Sequence, residues 1–366
     1  MLHSRGESAN QKITVHTKRI SNYFYIFAFS QKSFRTKIKN KMLKIVRYTF
    51  AIGCGIAIFI CNIFINSNVL LAKEPTPYAF LSNSLSSRSA GLAGATVSFE
   101  NDAAGFLINP ALLATHQGNN FNTTFLKHIL DINSGNVSYI YRDEKLGTFA
   151  GSVVYTNYGS FDYYDNQGNP MGGSFTANHI ALSGSYAGEI GERLYGGVSA
   201  KFIFNQLEKM NGFAVAVDAG LLYKLPDERT NFGFSILNAG TEMKKMYDAS
   251  SHIPLNVRIG FNHRLEGLPL NFNLGFNNLN DTGSFFSRFG NINIGGELYF
   301  GEYVQVRVGF DNYIRKNLAS EQNKGLTGIS SGVGIITNII NVDYSISIYT
   351  SDLFLHRFGI NLRIPK

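Results

Sequence analysis

Apolar and polar residues alternate with a period of two along most of this chain. Between residues 213 and 223 the odd positions are apolar or aromatic, and the even positions are small or polar as far as Leu222. The same alternation runs through residues 255–262, 270–277 and 304–311. Because successive side chains of a strand point to opposite faces, each segment has one apolar and one polar face. The pattern predicts β-strands, with the odd positions of residues 213–223 facing an apolar environment.

The length of these segments favours a membrane-spanning barrel over a water-soluble sandwich. Segments of about 10 residues fit a tilted crossing of the hydrocarbon layer, whereas strands of soluble proteins usually have ~5–6 residues. An even number of strands closes an antiparallel barrel without leaving an unpaired edge in lipid. About 14 segments are present, centred near residues 123, 138, 151, 181, 199, 217, 235, 258, 273, 295, 307, 331, 345 and 360. The predicted fold class is all-β, a transmembrane antiparallel β-barrel of about 14 strands in the bacterial outer membrane.

The connections between the segments alternate between short and long. Tight polar turns are expected at residues 142–145, 188–192 and 300–302, and long loops at residues 158–174, 241–252 and 312–324. Short turns on one side and long loops on the other are typical of the periplasmic and extracellular ends of a barrel. Aromatic residues near segment ends are expected to form interface girdles, with cross-strand packing as the alternative: Tyr139, Tyr141, Tyr155, Tyr158, Tyr223, Tyr299, Phe300 and Tyr303.

The net charge of +8 does not indicate a nucleic-acid partner, because the excess is confined to the start of the chain. Residues 1–72 hold 11 of the 33 Lys and Arg residues and one of the 25 acids, so 22 basic and 24 acidic residues follow. That remainder offers no basic stripe along which a phosphate backbone would lie. Only 16% of the chain is charged, against roughly 25% in an average soluble domain.

Residues 42–72 have the layout of a secretory signal peptide. Lys44 and Arg47 form a basic start, an apolar run follows, and Leu71-Ala72 suits cleavage that leaves Lys73 as the mature N-terminus. A transmembrane anchor is the alternative, but Asn and Ser residues interrupt the run before it reaches the ~20 apolar residues that a spanning helix needs. A lipoprotein signal is disfavoured because the modified cysteine would follow the last arginine too closely.

The segment that precedes the signal peptide carries no recognisable period. Residues 1–41 are interpreted as a mis-assigned upstream extension or a disordered leader, since Met42 makes the better start for an exported protein. Cys54 and Cys61, the two cysteines of the chain, both lie within residues 42–72. The mature protein would therefore contain no disulfide and no cysteine-bound metal.

Residues 73–117, between the signal peptide and the first strand, lack the alternation and are predicted to form a plug for the barrel of residues 118–366. Small residues such as Gly91, Gly94 and Ala95 would let this backbone lie against the inner wall. Asn109-Pro110 places a proline at the first position of a short apolar helix, where its missing N–H costs nothing. We expect the part from Ser86 to Leu113 to close the periplasmic mouth.

In this segment the chain resembles the PorV/PorQ family of outer-membrane proteins from Bacteroidota and related phyla, and the PorQ branch in particular. That family shows an Arg-x-x-Gly opening, an Asp-Ala step and an Asn-Pro-Ala-Leu box, followed by a barrel similar to the FadL fatty-acid transporter. The matching residues, which are the candidate plug motif, are Arg88, Gly91, Gly94, Asp102, Ala103, Asn109, Pro110, Ala111 and Leu112. The ordered combination, and later runs such as residues 231–240, extend the resemblance over residues 80–365.

The resemblance implies a component of, or an accessory to, the type IX protein secretion system, with other secretion proteins and their cargo as partners. The alternative is a FadL-like channel for hydrophobic small molecules. A lumen lined mostly by Asn, Gly and Ser favours neither strongly. A strand interrupted by a proline or a bulge near the plug would indicate a lateral opening, which would support transport or cargo release.

No arrangement of residues in the sequence points to catalysis. The eight histidines are scattered without metal-ligand spacing. Ser183 and Ser185 share a strand face with His179, but positions four and six apart lie more than ~13 Å from each other along a strand. The pairs Gly172-Gly173, Gly196-Gly197 and Gly295-Gly296 have no following helix to bind phosphate and are better explained as places where a plug approaches the wall. We expect a non-enzyme without a metal or a cofactor.

Overall fold

The computed structural model describes residues 76–129, 131–246, 251–281, 288–319 and 325–365. The predicted leader, the signal peptide and the cleavage site before Lys73 lie outside the described residues. All that follows concerns the unit formed by residues 72–366.

Fourteen described strands close into one antiparallel barrel, in which each strand pairs with its neighbours in sequence and β1 pairs with β14. Every predicted segment centre falls inside one of these strands, so the predicted fold class is confirmed. The strands are β1 (Asn119–Lys127), β2 (Asn133–Asp143), β3 (Gly147–Tyr164), β4 (Pro170–Gly191), β5 (Leu194–Leu207), β6 (Met210–Lys224), β7 (Thr230–Lys244), β8 (Asn256–Arg264), β9 (Leu270–Phe276), β10 (Ile292–Phe300), β11 (Val304–Asp311), β12 (Ile329–Ile336), β13 (Ile340–Thr350) and β14 (Leu353–Ile364).

The described helices are short. Two are α-helices, α1 (Ser87–Gly91) and α2 (Asn312–Leu318), and three are 3₁₀ helices, at Ala79–Ser82, Gly105–Leu107 and Pro110–Thr115. Across the described ranges, none of them has the length and apolar character to cross a membrane.

The predicted alternation decides which side chains face outward. In β6 the odd positions are exposed or half-buried and the even ones from Gly212 to Leu222 are buried, so Val217 is 40% exposed while Ala216 is 3% exposed. Outward-facing positions elsewhere are also apolar, as with Phe202 in β5 and Val308 in β11. In hydrocarbon, closure of the barrel gives every backbone N–H and C=O group a hydrogen-bond partner, and the apolar outer face suits contact with lipid. The predicted location, the bacterial outer membrane, is thereby confirmed.

The two ends of the barrel differ as predicted, except that the long loop expected at residues 158–174 is instead a continuation of β3 and β4 around a turn at residues 165–169. The connections that follow the even-numbered strands have five residues or fewer, for example residues 144–146 and 301–303. The connections after β7, β9 and β11 span residues 245–255, 277–291 and 312–328. The short-turn end is therefore the periplasmic end and the long-loop end is extracellular.

Two of the expected girdle aromatics lie on the wrong side of the wall for that role. The prediction holds for Tyr139, Tyr155 and Tyr223, which are more than 40% exposed on the outer face. Tyr299 instead donates a hydrogen bond to the lumenal carboxylate of Glu297 at 2.6 Å, and Tyr158 packs on a lumenal histidine. The alternation of their own strands places both inward, since Tyr299 lies two residues from the lumenal Glu297 and Tyr158 two residues from the buried Thr156. The girdle prediction considered only their position near a segment end and not the face of the strand.

We expect Val217→Arg to destabilise the folded barrel by about 2–4 kcal/mol, because it places a cation against the lipid chains near the middle of β6. Tyr223→Arg lies on the same face but at the periplasmic interface, and should cost only about 0–1 kcal/mol. Urea titration of folding into lipid vesicles measures both. Equal costs would contradict a lipid-facing surface. Ala216→Arg, the comparison suggested by alternation alone, is unsuitable because Ala216 packs in an apolar cluster inside the lumen.

Candidate functional site

Residues 76–117, called the inner segment below, run through the lumen from one mouth to the other. At the extracellular mouth the Thr76 hydroxyl donates to the carbonyl of His252 at 2.6 Å, and the Tyr78 hydroxyl donates to Glu242 at 2.8 Å. From Ser87 onward the segment lies near the periplasmic end, where it follows the wall in a ring. The part from Ser86 to Leu113 is thus located where the sequence predicts a plug, and its blocking role stays a prediction.

Glycines on the inner wall allow this ring to lie directly against the strands. On nine described strands a glycine lies no more than five residues from the periplasmic end, and a Cβ added to it would come within 3.4 Å of the inner segment. Successive residues of the segment meet these glycines in strand order, from Ser87 on β14 to Pro110 on β5. The glycines are Gly197, Gly220, Gly233, Gly260, Gly275, Gly295, Gly309, Gly332 and Gly359.

The prediction that glycine pairs mark a close approach is therefore right for Gly197 and Gly295. It is wrong for Gly172 and Gly173, whose added Cβ atoms would meet no part of the inner segment. Both have positive φ values, 74° and 85°, and shape the β3–β4 hairpin instead.

Asn109 and Pro110 fasten the ring to β6 and β5. The buried Asn109 side chain caps the 3₁₀ helix at Pro110–Thr115 by accepting from the N–H of Ala111. Its Nδ2 donates to the carbonyls of Val97, at 2.7 Å, and Leu221, at 3.0 Å. One amide thus links the helix start, the segment and the wall. The following Ala111 and Leu112 pack on Leu222 of β6.

Arg88 of α1 joins the ring to the opposite wall through buried ion pairs. Its guanidinium binds Glu297 of β10 with two hydrogen bonds, at 2.9 and 2.7 Å. Burial alone would lower the pKa of Arg88, but the Glu297 carboxylate outweighs it and raises the pKa. Arg307 of β11 binds the same carboxylate at 2.7 Å and also pairs with Asp343 of β13. Two cations and two anions thus neutralise one another in this part of the lumen.

The remaining motif residues shape the turn between these two anchors. Gly91 lies on the backbone of Gly332, and Gly94, with φ 76°, ends α1 by donating to the carbonyl of Ser89 at 2.9 Å. Asp102 is buried and accepts from the Ser86 hydroxyl. His116 contacts the Asp102 carbonyl, and burial lowers the pKa of this histidine to about 4, so it is neutral at neutral pH. The structure therefore brings all the predicted motif residues onto one ring.

The extracellular half of the lumen contains an apolar cluster among polar side chains such as His179, Asn205 and Arg357, which the polar alternation did not predict. Tyr78, Phe80 and Leu85 of the inner segment pack against inward-facing residues of the wall. The wall residues of this cluster are Leu126, Val154, Ala181, Ile203, Ala214, Ala216, Ile253 and Leu355. Alanines at inward positions of β4 and β6 make room for the segment's larger side chains.

A cavity of about 70 Å³ remains between this apolar cluster and the ring near the periplasmic end. Its apolar lining includes Phe80, Leu107 and Val154, and its polar lining includes Ser183 and two cations, Lys201 and Arg258. The amine of Lys201 is paired with Asp218 at 2.8 Å. The Nε of Arg258 is buried without a hydrogen-bond partner in the described structure. The cavity therefore combines an apolar body with one unsatisfied donor.

The wall beside this cavity is irregular. The β6–β7 register shifts between Val217↔Ala239 and Ala219↔Ile236, so β7 bulges at Leu237 and Asn238. Asn238 has φ 60° and accepts from Lys201 at 2.7 Å. The β7–β8 ladder ends at Leu237↔Asn256, and within the described residues β7 continues beyond it paired with β6 only. This is the strand interruption that would indicate a lateral opening.

Sequence reasoning did not single out Glu297, Arg307 or Arg258 as functional residues. Arg258 and Arg307 occupy polar positions of the alternation, so the sequence predicts that they point into the lumen. A charged side chain at a lumenal position near the middle of a strand is the signal that could have identified them, since such charges need a partner or a ligand. Among the described residues, no group of three His, Cys, Asp or Glu side chains could hold a metal ion.

No protein-family model matches the chain, and no curated protein sequence matches it. Solved structures of outer-membrane channels do match. The monoaromatic hydrocarbon channel CymD is 12% identical, with a TM-score of 0.52 over 77% of this chain and 98% of that one. The toluene transporter TodX of Pseudomonas putida is 13% identical, with a TM-score of 0.51 over 75% of this chain and 95% of that one. Likeness at this identity confirms the fold of an outer-membrane channel barrel alone, and the PorV/PorQ assignment stays a prediction.

We expect Gly309→Ala to loosen the ring without preventing barrel assembly. The new Cβ would come within 3.0 Å of Leu92 and Ala93, closer than real Cβ atoms approach other atoms. Gly184→Ala on the outer face meets nothing within 4 Å and is the control. Single-channel conductance should rise only for Gly309→Ala, towards that of a variant lacking residues 86–113. A wild-type protein as open as this deletion would show that the segment is not a plug.

Arg88→Met should weaken the docking of the inner segment by about 3 kcal/mol, since it leaves a buried carboxylate with one partner fewer. Glu297 keeps Arg307, so the wall itself should stay intact. Lys224→Met removes the partly exposed Lys224–Glu100 pair, which also joins segment and wall, and should cost less than about 1 kcal/mol. Hydrogen exchange of residues 87–113 compares the two variants. Similar loss of protection in both would mean that the buried pair contributes no more than a surface pair.

Proposed function

We propose that this protein is an outer-membrane channel for small hydrophobic molecules. The observation that carries the proposal is the apolar cluster around Tyr78 and Phe80 in the lumen, which borders a cavity beside the bulge in β7. A water-filled pore for polar solutes would instead have a polar interior from end to end. The similar barrels CymD and TodX are described as channels for monoaromatic hydrocarbons and toluene, which agrees with this ligand class.

The size of the cavity implies that passage requires movement. An apolar cavity of about 150 Å³ takes up one benzene molecule. The cavity here, at about 70 Å³, is too small for such a ring. The inner segment lines most of it, with Phe80 and Leu81 on one side and Leu107 and Ile108 on the other. We infer that the described state is closed and that a substrate passes when this segment shifts.

The bulge in β7 gives the substrate a route out of the lumen. Leu237 lines the cavity at the point where the β7–β8 ladder ends. A hydrophobic molecule that leaves sideways enters the hydrocarbon layer and never has to cross the polar ring below. This route needs no displacement of Arg88 or Asn109.

The secretion role implied by the PorV/PorQ resemblance rests on sequence alone. Co-purification of other type IX components with this protein would support it, and hydrocarbon uptake without such partners would favour the channel.

The channel is tested by uptake of radiolabelled toluene into whole cells whose outer membrane contains the protein. Ala181→Trp places an indole in the cavity and should reduce uptake to the level of cells without the protein. The adjacent Leu182→Trp places the same group on the outer face, where Leu182 is 41% exposed, and should leave uptake unchanged. Dodecanoate serves as a second substrate because the unpartnered Nε of Arg258 would donate a hydrogen bond to its carboxylate. If wild-type cells take up neither compound faster than cells without the protein, the channel proposal is wrong.

A further inference from the structure

The hairpin of β3 and β4 extends well beyond the extracellular end of the barrel. The β2–β3 ladder ends at Asn133↔Asn157 and the β4–β5 ladder ends at Ala177↔Leu207. Beyond these points, within the described chain, residues 158–164 and 170–176 pair only with each other. At ~3.3 Å per residue, this two-stranded ribbon is roughly 20 Å long. It stays in contact with the β5–β6 turn, where the Tyr163 hydroxyl donates to Glu208 at 3.0 Å.

A bulge in β3 changes which side of the hairpin its aromatic residues occupy. The register passes from Asn157↔Asn178 to Ser160↔Thr176, so Tyr158 and Gly159 together face Ala177. Up to this point the even residues of β3 face the lumen, and after it the odd ones do. Without the bulge, Phe161 would lie on the outer face.

Phe161, Tyr163 and Phe175, called the aromatic ledge below, consequently continue the lumenal face of the wall. Phe161 pairs across the hairpin with Phe175, and the two rings stack with centroids 5.4 Å apart. The Tyr163 ring lies 5.2 Å from Phe175. Phe161 is 42% exposed, so the ledge presents apolar ring surface to the solvent at the extracellular mouth.

Below the ledge the same face leads to the cavity. Ala177 and His179 are the next lumenal positions of β4, and the small Ala177 side chain leaves space between the ledge and the histidine. The His179 ring is packed between Tyr158, at 4.8 Å, and Phe80, at 5.1 Å. Phe80 in turn lines the cavity. Aromatic surface thus extends from the hairpin to the cavity and is interrupted at Ala177.

The charge of the hairpin indicates which ligands suit the ledge. Residues 157–178 contain two aspartates and no lysine or arginine. Asp162 pairs with Ser174, on the opposite face from the ledge, and Asp165 is occupied by backbone N–H groups of the turn. The charged group that contacts the ledge is the carboxylate of Glu208, which accepts from Tyr163 and would repel an acid. The rings of the ledge favour flat apolar molecules through stacking.

We propose that the aromatic ledge is an entry site that binds neutral aromatic molecules from the medium and passes them to the cavity along Tyr158, His179 and Phe80. The inference rests on the proposed channel function and adds its ligand class and point of entry. The β3 bulge is the structural device that creates the site, because it alone brings Phe161 and Tyr163 to the lumenal face.

Because the chain contains no tryptophan, the fluorescence of a single introduced tryptophan reports on its own position alone. Phe161→Trp introduces a single indole into the ledge, and Ser174→Trp introduces one on the opposite, exposed face of the same hairpin. Iodobenzene, a neutral aromatic quencher, is titrated against both proteins in lipid nanodiscs. We expect saturable quenching for Phe161→Trp and only linear, collisional quenching for Ser174→Trp. Adding Phe175→Ala to Phe161→Trp should raise the half-saturating concentration by about tenfold, because the stacked partner is lost.

The outcomes separate the ledge from the channel. Linear quenching in both single-Trp proteins overturns the ledge, even if toluene uptake through the barrel is normal. Saturable quenching of Phe161→Trp that Phe175→Ala leaves unchanged also overturns it, since the binding would not involve the ledge. Saturable, Phe175-dependent quenching without any uptake by cells supports binding at the ledge and contradicts the channel. When the ledge binds iodobenzene and the barrel also transports toluene, Phe175→Ala should slow uptake at low toluene concentration and not at saturation.

Discussion

The fold depends on one constraint, the pairing of every backbone N–H and C=O group that lies in hydrocarbon. A strand in lipid has no water to satisfy its free edge, so the fourteen strands must close on themselves. Closure creates a lumen, and its width follows from the number of strands. About eight strands enclose a space that side chains alone can fill, and 16–18 strands leave an aqueous channel. This barrel lies between these limits, and residues 76–117 occupy the interior.

The inner segment is held by two different kinds of contact. Near the periplasm it approaches so closely that the wall needs glycine, a residue that weakens a strand by removing the side chain that would pack. Asn109 and Arg88 offset this cost, because each gives buried polar groups a partner that the barrel alone could not supply. In the extracellular half the segment packs through the rings of Tyr78 and Phe80, and the Thr76 and Tyr78 hydroxyls add hydrogen bonds to His252 and Glu242. The cavity lies between the close contacts near the periplasm and the apolar packing in the extracellular half.

Two irregularities in the ladder lie where we propose that a substrate enters and leaves the lumen. The bulge in β7 ends the pairing with β8 beside the cavity, and the bulge in β3 turns the hairpin's aromatic face toward the mouth. A bulge leaves one residue unpaired in the ladder, and the side chains that follow it in the strand then point to the opposite faces. Both positions lie at the boundary of the regular wall, so closure of the barrel is preserved.

The sequence by itself determined the strands, their lipid-facing positions and the cap at Asn109-Pro110. These features depend on neighbours two to four residues apart, and that spacing is written directly in the order of residues. The tertiary structure alone decided that Arg88 meets Glu297, 209 positions away, because that contact requires the barrel to close around the segment. It also decided that Phe161 lies on the lumenal side of the hairpin, since one shifted residue in the β3–β4 ladder reverses what alternation predicts for the residues that follow.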